Sequence, residues 1–426
     1  MWFLMALLLL LLILRMPVAF SIAISSLVYL LISTDLRLVA VAQRISAGAD
    51  SFLLLAVPFF VFAGELMNAG GITRRLVRFA NALVGNVRGG LSYVVIVVNM
   101  VMAGVSGAAI ADASAVGSVM IPSMKRNGYR PGFAAAVNAA AATIGPVIPP
   151  SVGLIIYASL ANVSVGKLFL AGAVPGLIMG LYMMIVCYLV ARRHDLPRGE
   201  PVHWRELWDS FRGAFWALLM PIIILGGIVG GVVTPTEAGV IAVVYGMLVG
   251  KLVYGEIGWG DIPYLMAKAA KSSALILFII ACSDLFGWLL TLEGAPAQLL
   301  ATFSSISDQP WVFMLIILAM LLILGCVMEG ASLMIILTPI LLPVLARYQI
   351  DLIHFGVVFQ LAIMIGLLTP PIGMLLYVVT GVGDVSMQET LKELWPFLIA
   401  LVIALLLIAF FPAITLWLPG IWVEQG

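Results

Sequence analysis

Long apolar runs, separated by short polar stretches, extend over almost the whole chain. The first three cover residues 2–14, 16–32 and 53–71. A membrane-spanning helix needs about 20 apolar residues, so these runs predict transmembrane helices, the first of which is short. Arg15 follows the first run, whereas the charge of a signal peptide precedes its apolar core. Residues 2–14 therefore predict a retained helix.

The run from 91 to 124 is too long for one crossing, and Gly-Val-Ser-Gly interrupts it at 104–107. Basic residues flank it on both sides, with Arg88 before it and Lys125 and Arg126 after it. Cytoplasmic loops are enriched in Lys and Arg, so a single crossing would leave one of these groups on the wrong side. The pattern predicts a hairpin that enters the membrane and returns, with an irregular tip at membrane depth.

The next run, residues 131–166, carries no charge and is interrupted by Gly-Pro-Val-Ile-Pro-Pro at 145–150. Proline has no backbone N–H and restricts the residue before it. A continuous helix would therefore lose hydrogen bonds at this point. The sequence predicts two half-helices that meet near the centre of the bilayer.

Both features return later in the chain at a constant spacing of 221 residues. The matched positions are Gly104 and Gly325, Pro122 and Pro343, Gly145 and Gly366, Pro149 and Pro370, and Pro150 and Pro371. This duplication predicts a second hairpin at 311–346 and a second broken helix at 352–382. Because an odd number of crossings separates the copies, the second is inverted. We predict an all-α integral membrane protein with two inverted repeats, each containing a re-entrant helical hairpin and a broken transmembrane helix.

Other segments predict complete helices at 272–292 and 394–418 and three amphipathic arms, the first of which lies in the membrane interface. The first arm carries Arg74, Arg75 and Arg78, the next carries Lys268 and Lys271, and the last lies between the helix at 272–292 and the second hairpin. In this topology only four of the 21 basic residues face outside, as the positive-inside rule requires.

Composition supports a membrane protein and argues against other classes. Hydrophobic residues make up 63% of the 426 residues and charged residues only 10%, which is more apolar surface than a soluble core could bury. The net charge of +1 is spread over loops and gives no nucleic-acid patch. The three cysteines lie inside apolar runs without metal-ligand spacing, so they predict packing residues.

Inverted repeats with hairpins and broken helices are typical of secondary transporters whose site lies at the membrane midplane. The amino ends of half-helices attract an anion, and unwound carbonyl groups can hold a cation such as sodium. The candidate sodium ligands lie at the tips and breaks of both repeats: Ser106, Gly145, Ile148 and Pro150, then Gly325, Met328, Gly366, Thr369 and Pro371. The alternative for each glycine or proline is that it only permits close packing.

Two carboxylates at membrane depth, Asp112 and Glu329, follow the two tips. Intramembrane carboxylates are costly and often functional, so we predict that they support the cation site or transport; stabilisation by the helix amino ends is the alternative. Ser151 and Ser332 are candidates for the same polar role, although hydroxyls at these ends, those of Ser106 and Thr369 included, commonly cap helices.

Glu237 has a structural interpretation. Thr234, Pro235 and Glu237 form a capping box with proline at the first helical position. The sequence therefore predicts that this carboxylate caps a helix.

The sequence predicts neither an enzyme nor a cofactor. The three histidines are scattered over loop or interface positions, and neither a Walker sequence nor a nucleophile elbow occurs. Energy for transport must then come from an ion gradient or a partner.

Several long motifs carry a family resemblance: GELMNAGGITRRLVRFA, GVSGAAIADASAVGSVMIP, IGPVIPPS, VVTPTEAG and GLLTPPIGMLLYV. In this order they resemble the large membrane subunit of the tripartite ATP-independent periplasmic (TRAP) transporters. The resemblance covers nearly the whole chain. It implies sodium-driven uptake of an organic anion, such as sialic acid or a C4-dicarboxylate, across a bacterial inner membrane. It also implies two partners, a small four-helix membrane subunit and a periplasmic substrate-binding protein.

The resemblance further implies an elevator movement, in which hairpins and broken helices slide against a scaffold. Its sodium sites fall on the residues named above, and Asp112, Ser151 and Glu329 match polar positions associated with transport. The implied division has six parts. Residues 1–90 form scaffold helices and the first arm, and residues 91–166 form the first transport elements. Residues 167–271 form scaffold helices, a loop and the second arm; residues 272–310 form a scaffold helix and an arm; residues 311–382 form the second transport elements; and residues 383–426 form the terminal scaffold helix.

Two rival functions fit the same pattern. An ion antiporter would work without a binding protein and would need a midplane carboxylate, for which Asp112 and Glu329 are the candidates. A channel or passive permease would transport without sodium dependence.

Overall fold

The computed structural model describes residues 2–14, 16–33, 39–199, 201, 203–326, 328–370 and 373–423. Over these residues the chain is built from α-helices, with a 3-10 turn at Phe52–Leu55 and a π-helical turn at Val249–Val253. In chain order the helices are α1 (Trp2–Ile13), α2 (Val18–Ser33), α3 (Val39–Ala49), α4 (Ala56–Ala69), α5 (Ile72–Val84), α6 (Gly90–Ser106), α7 (Ala109–Arg126), α8 (Pro131–Ala142), α9 (Val152–Ala161), α10 (Val165–Arg193), α11 (Trp204–Val229), α12 (Pro235–Leu248), α13 (Asp261–Leu292), α14 (Ala295–Ile306), α15 (Pro310–Gly325), α16 (Gly330–Arg347), α17 (Leu352–Gly366), α18 (Met374–Gly383), α19 (Met387–Phe410) and α20 (Ala413–Val423).

Seven helical stretches within the described ranges are long and apolar enough to cross a membrane. They are Phe52–Ala69, Val165–Arg193, Trp204–Val229, Pro235–Val253, Asp261–Leu292, Gly330–Arg347 and Met387–Phe410. Shorter apolar helices, α1 and α2 among them, accompany these spans. The chain is therefore a multi-pass integral membrane protein, as predicted.

The first predicted hairpin is confirmed. α6 and α7 meet at Gly107, and the Leu91 backbone N–H at the start of α6 donates to the Tyr129 hydroxyl, 3.3 Å away, just beyond the end of α7. Because both ends of the segment meet, it returns to the side from which it started.

The second hairpin is confirmed in the same way. The Tyr348 hydroxyl, just after α16, donates to the Ser307 carbonyl oxygen, 2.9 Å away and just before α15. The Tyr348 ring also stacks on Phe313, with 4.6 Å between ring centroids. The amino end of α15 and the carboxyl end of α16 therefore lie side by side.

Both broken helices are confirmed, and they run in opposite directions. The first consists of α8 and α9, and the second of α17 and α18. The Tyr157 hydroxyl of α9 donates to the Leu352 carbonyl at the start of α17, 2.8 Å away. At the other side, Lys125 Nζ, shortly before α8, donates to the Gly383 carbonyl at the end of α18, 2.9 Å away. The second repeat is therefore inverted relative to the first.

The 221-residue spacing describes the helix starts as well as the motifs. Adding 221 to Ala109 gives 330, where α16 begins, and adding 221 to Pro131 gives 352, where α17 begins. The corresponding starts of α5, α6, α9 and α10 match those of α14, α15, α18 and α19 to within two residues. The duplication therefore covers at least these six consecutive helices, α5 to α10.

The centre of the molecule is formed by the first halves of the broken helices. Residues 132–142 of α8 and residues 354–366 of α17 are all buried. Alanine makes up most of α8, which lets neighbouring backbones approach closely. The interruptions that follow these two helices are therefore held inside protein.

The predicted arm at Lys268 and Lys271 is not a separate element. Residues 261–292 form one helix, α13, which corresponds to both α3 and α4 of the first repeat. Lys268 is accommodated in it because its ammonium group pairs with Glu65 of α4, 2.7 Å away. The arm predicted between residue 292 and the second hairpin corresponds to α14, which is bent by 117° from α15.

The last predicted helix, 394–418, was too long. α19 ends at Phe410, because Pro412 lacks a backbone N–H and disfavours helical backbone in the preceding residue. The chain then turns into α20. The Thr415 hydroxyl of α20 and His354 Nδ1 of α17 lie 2.8 Å apart, which fixes α20 against the second broken helix.

Candidate functional site

The tip of the first hairpin lies directly on the first break. α6 ends at Ser106, and Gly107 takes a left-handed conformation, with φ of 58°, before α7 begins at Ala109. A methyl group at Gly107 would come within 2.5 Å of the Pro150 carbonyl oxygen. Glycine is needed here both for its conformation and for this close approach.

Asp112 is fully buried between this tip and this break. The Ser106 hydroxyl donates to its Oδ1, while its Oδ2 has no hydrogen-bond partner among the described residues. That free oxygen faces Gly145, where a methyl group would lie 2.5 Å from it. A buried carboxylate without a counter-charge is costly. The arrangement therefore fits a cation or a proton bound at this point.

The first break interrupts the helical hydrogen bonding between α8 and α9 inside the protein. After α8 ends at Ala142, the chain passes through Gly145, Ile148 and a cis Pro149–Pro150 peptide before α9 begins. The Ser151 hydroxyl accepts from the Leu154 N–H, 3.3 Å away, and donates to the Pro146 carbonyl. Ser151 is therefore the amino-terminal cap of α9, and this cap occupies its hydroxyl.

The second tip and the second break also touch. A methyl group at Gly366 would come within 2.6 Å of the Gly325 Cα atom, so α15 and α17 pack backbone to backbone. The Met328 N–H donates to the Leu324 carbonyl, 2.9 Å away, and the Thr369 hydroxyl donates to the Ile365 carbonyl, 2.7 Å away. The predicted ligand Pro371 lies outside the described residues.

Glu329 differs from Asp112 although both follow hairpin tips. Its carboxylate accepts from the N–H groups of Ala331 and Ser332, at 3.2 and 3.0 Å, and from the Ser332 hydroxyl at 3.0 Å. It is exposed and caps α16. The helix-end interpretation therefore accounts for its contacts, and those of Ser332, without a bound ion.

Four helix amino ends surround these two regions: those of α7 and α9 at the first, and those of α16 and α18 at the second. N–H groups at such ends favour anions. At α9 and α16, some of them already bond to the caps Ser151 and Glu329. The tips and breaks thus combine groups suited to a cation with groups suited to an anion.

Comparison with known proteins identifies the family of this chain. The model of the tripartite ATP-independent periplasmic transporter DctM component matches residues 5–414. The chain is 40% identical over 411 residues to the sialic acid TRAP transporter large permease protein of Vibrio cholerae, covering 96% of each chain. It is 39% identical over 381 residues to the C4-dicarboxylate large permease protein of Pseudomonas aeruginosa, covering 89% of each. The chain belongs to the DctM family.

Two further similarities extend this result. A 2,3-diketo-L-gulonate TRAP transporter large permease protein of Escherichia coli is 37% identical over 411 residues, with 96% of each chain covered. The crystal structure of the YdaH transporter of Alcanivorax borkumensis matches with a TM-score of 0.65 at 14% identity, over 88% of this chain and 87% of that one. The second similarity concerns the fold alone. The large TRAP permeases, to which this DctM-family chain is similar, are transporter subunits.

The sequence did not point to two buried amides beside this site. Asn138 Nδ2 of α8 donates to the Ala113 carbonyl of α7, 2.8 Å away and one residue after Asp112. Asn99 of α6 bonds to its own helix at Val95 O, 2.9 Å away. The Oδ1 atoms of both are buried without a partner in the described part of this DctM-family chain. The feature of the sequence that could have identified both residues is an asparagine inside an otherwise apolar run.

Proposed function

We propose that this DctM-family permease takes up an organic anion across the bacterial inner membrane, driven by a sodium gradient. The observation that carries the proposal is the buried Oδ2 of Asp112, which is unpartnered among the described residues and faces Gly145 at the first break. A sodium ion there would neutralise the carboxylate and use main-chain carbonyl groups as further ligands. In this proposal Ser106, Ile148 and Pro150 complete the first site, and Gly325, Met328, Gly366, Thr369 and Pro371 form the second.

We propose a carboxylate as the substrate. Three relatives are named for sialic acid, C4-dicarboxylates and 2,3-diketo-L-gulonate, and all of these substrates carry this group. The basic residues of this chain lie in loops or at interfaces, so helix amino ends and backbone N–H groups at the two breaks would hold the anion.

The proposed mechanism is an elevator movement. α6–α9 and α15–α18 would move as one block against the remaining helices, with α5 and α14 as the connecting arms. A small four-helix membrane subunit would join the scaffold, and a periplasmic binding protein would deliver the substrate. Each tip packs on the break of its own repeat, and α7 and α9 pack on α18 and α16 of the other repeat, which supports movement of these elements as a unit.

The test is uptake into liposomes that contain this chain and its small membrane subunit. Uptake of labelled sialic acid, succinate and 2,3-diketo-L-gulonate is measured with and without the corresponding binding protein, with sodium outside, inside or absent. We expect uptake of one of these anions that requires both the binding protein and inward-directed sodium. Uptake that needs neither would contradict the proposal.

The second candidate function is ion antiport without a binding protein, which the buried Asp112 carboxylate also favours. It predicts sodium–proton exchange by this chain alone, measured with a pH-sensitive dye inside the liposomes. Sodium-dependent proton movement in the absence of any organic anion would favour antiport over uptake.

A further inference from the structure

A cavity of about 710 Å³ lies at the carboxyl end of α10, away from both breaks. The segment from residue 83 to 93, which joins α5 to α6, forms one wall, and the last turns of α10 form the other. Arg88, Arg192 and Arg198 line it together with Tyr93 and Tyr188. The dense basic residues at this end of α10 assign it to the cytoplasmic side.

The cavity has an excess of positive charge. Arg88 pairs with Asp195, the only carboxylate in residues 186–199. The Arg192 guanidinium lies over the Tyr188 ring, 4.8 Å from its centroid, and stays free to bind an anion from its edge. The Arg198 side chain has no ion-pair partner among the described residues. Two guanidinium groups are thus available, and this group binds phosphate oxygens in a bidentate manner.

An apolar stripe leads from the membrane to this cavity. Leu177, Leu181, Ile185 and Tyr188 of α10 are 55%, 56%, 47% and 46% exposed. Their spacing of three and four residues places them on one face of the helix. Tyr188 belongs to both the stripe and the cavity wall, at the depth where tyrosine prefers the membrane interface. A soluble anion would make no use of the stripe, whereas an acyl chain would cover it.

We infer that this cavity binds an anionic phospholipid, with the phosphate on Arg192 and Arg198 and an acyl chain along the exposed face of α10. Basic pockets between helices on the cytoplasmic side are suited to such headgroups. A lipid bound there would contact α10 and the segment that joins the arm to the first hairpin.

Native mass spectrometry of the detergent-purified full chain tests this inference, with phosphatidylglycerol and phosphatidylcholine as probes. We expect phosphatidylglycerol to bind more tightly, and the double variant Arg192→Gln/Arg198→Gln to weaken its binding roughly 25-fold, at about fivefold per arginine. The charge-preserving pair Arg192→Lys/Arg198→Lys should bind more tightly than the glutamine pair and more weakly than the unaltered chain, because lysine keeps the charge but not the bidentate contact. If the double variant does not stay folded, Arg198→Gln alone should lose about fivefold.

The matched control is Arg126→Gln/Arg205→Gln, which removes two exposed basic residues outside the cavity. It should bind phosphatidylglycerol as the unaltered chain does. Equal losses in the two double variants, or equal binding of the two lipids by the unaltered chain, would overturn the inference. Displacement of phosphatidylglycerol by an equal concentration of glycerol 3-phosphate would also overturn it, because the site would then be one for a soluble phosphate.

Discussion

At the scale of residues, the two carboxylates that follow the hairpin tips differ in burial and in their hydrogen-bond partners. Glu329 accepts three hydrogen bonds from the first turn of α16, so the helix end itself stabilises its charge. Asp112 accepts one hydrogen bond, from the Ser106 hydroxyl, and its other carboxylate oxygen is buried without a partner among the described residues. Of the two carboxylates, Asp112 is therefore the one whose negative charge a bound cation would stabilise.

Replacing the two carboxylates by amides should therefore have different effects. We expect Asp112→Asn to raise the sodium concentration for half-maximal uptake at least tenfold, because a neutral amide attracts sodium more weakly. Glu329→Gln still offers an acceptor to the α16 N–H groups, so the sodium dependence should stay the same. Both are measured by uptake into liposomes over a sodium series; equal shifts would argue against a sodium site at Asp112.

The backbone contact between Gly325 and Gly366 gives a second prediction. Gly366→Ala would place a methyl group 2.6 Å from the Gly325 Cα atom, and overpacking of this kind costs about 1–3 kcal/mol. We expect a lower melting temperature by differential scanning fluorimetry. Gly381→Ala is the matched control: nothing lies within 4 Å of its added methyl group, and alanine favours a helix over glycine, so its melting temperature should stay or rise. A similar fall in both variants would contradict the close packing of α15 and α17.

At the scale of elements, the arm α5 is fixed by ion pairs to later parts of the chain. Arg78 forms two hydrogen bonds with Glu206 at the start of α11, at 2.7 and 3.0 Å. Arg75 pairs with Glu256, 2.8 Å away, and lies over the Tyr254 ring. The arm α5 thus contacts α11 and the segment before α13, and its carboxyl end leads into the first hairpin.

The contact of α5 with α11 should weaken in acid. Arg78 donates two hydrogen bonds to the Glu206 carboxylate, and protonation of that carboxylate would remove one of the two charges. Glutamate takes up its proton at an ordinary pKa of about 4.3, so the contact should be complete well above this pH and be lost below it. Hydrogen exchange of residues 72–84, corrected for its intrinsic pH dependence, should therefore stay constant from about pH 8 to 5.5 and rise only below about 4.3.

Glu206→Gln should loosen the arm at neutral pH and remove the additional acid effect. Arg74→Gln serves as its control, because Arg74 is exposed and has no ion-pair partner among the described residues. An acid transition of equal size in the Glu206→Gln variant would assign the effect to another group.

The hairpins and breaks could be predicted from sequence because glycine and proline decide backbone conformation locally. The 221-residue spacing then carried each prediction to the second repeat. The continuity of α13 could not be predicted from the local sequence, because the ion-pair partner of Lys268 is Glu65, 203 residues away along the chain. The sequence identified Ser106 and Asp112 as candidates but not their direct contact, which depends on the turn at Gly107. It also missed the nearby Asn138, whose partner Ala113 lies on another helix.

At the scale of the whole molecule, inversion places equivalent positions on opposite sides of the membrane. Asn162 ends α9 and Asp384 ends α18, both with left-handed backbone. Adding 221 to 162 gives 383, so the two positions correspond to within one residue. The contact of Lys125 with the end of α18 places Asp384 on the side of the first hairpin's ends.

Labelling of single cysteines in a background without the three native ones tests this arrangement. An impermeant maleimide added outside intact cells should react with Asn162→Cys but not with Asp384→Cys, which should react only in opened membranes. Asn86→Cys and Asn127→Cys, at the two ends of the first hairpin, should share the behaviour of Asp384→Cys. Reaction of Asn86→Cys and Asn127→Cys from different sides would contradict the hairpin.

Lys125 and Gly383 are in contact but lie 258 residues apart along the chain. The ribosome therefore synthesises these two residues at different times. At about 5–20 residues per second, the delay is on the order of 10–50 s. During this time the newly inserted first half lacks α16 and α18, the helices of the second half that pack on α9 and α7. A gene truncated after α10 should therefore yield a product that quality-control proteases remove, and supplying the missing half as a separate polypeptide should rescue it.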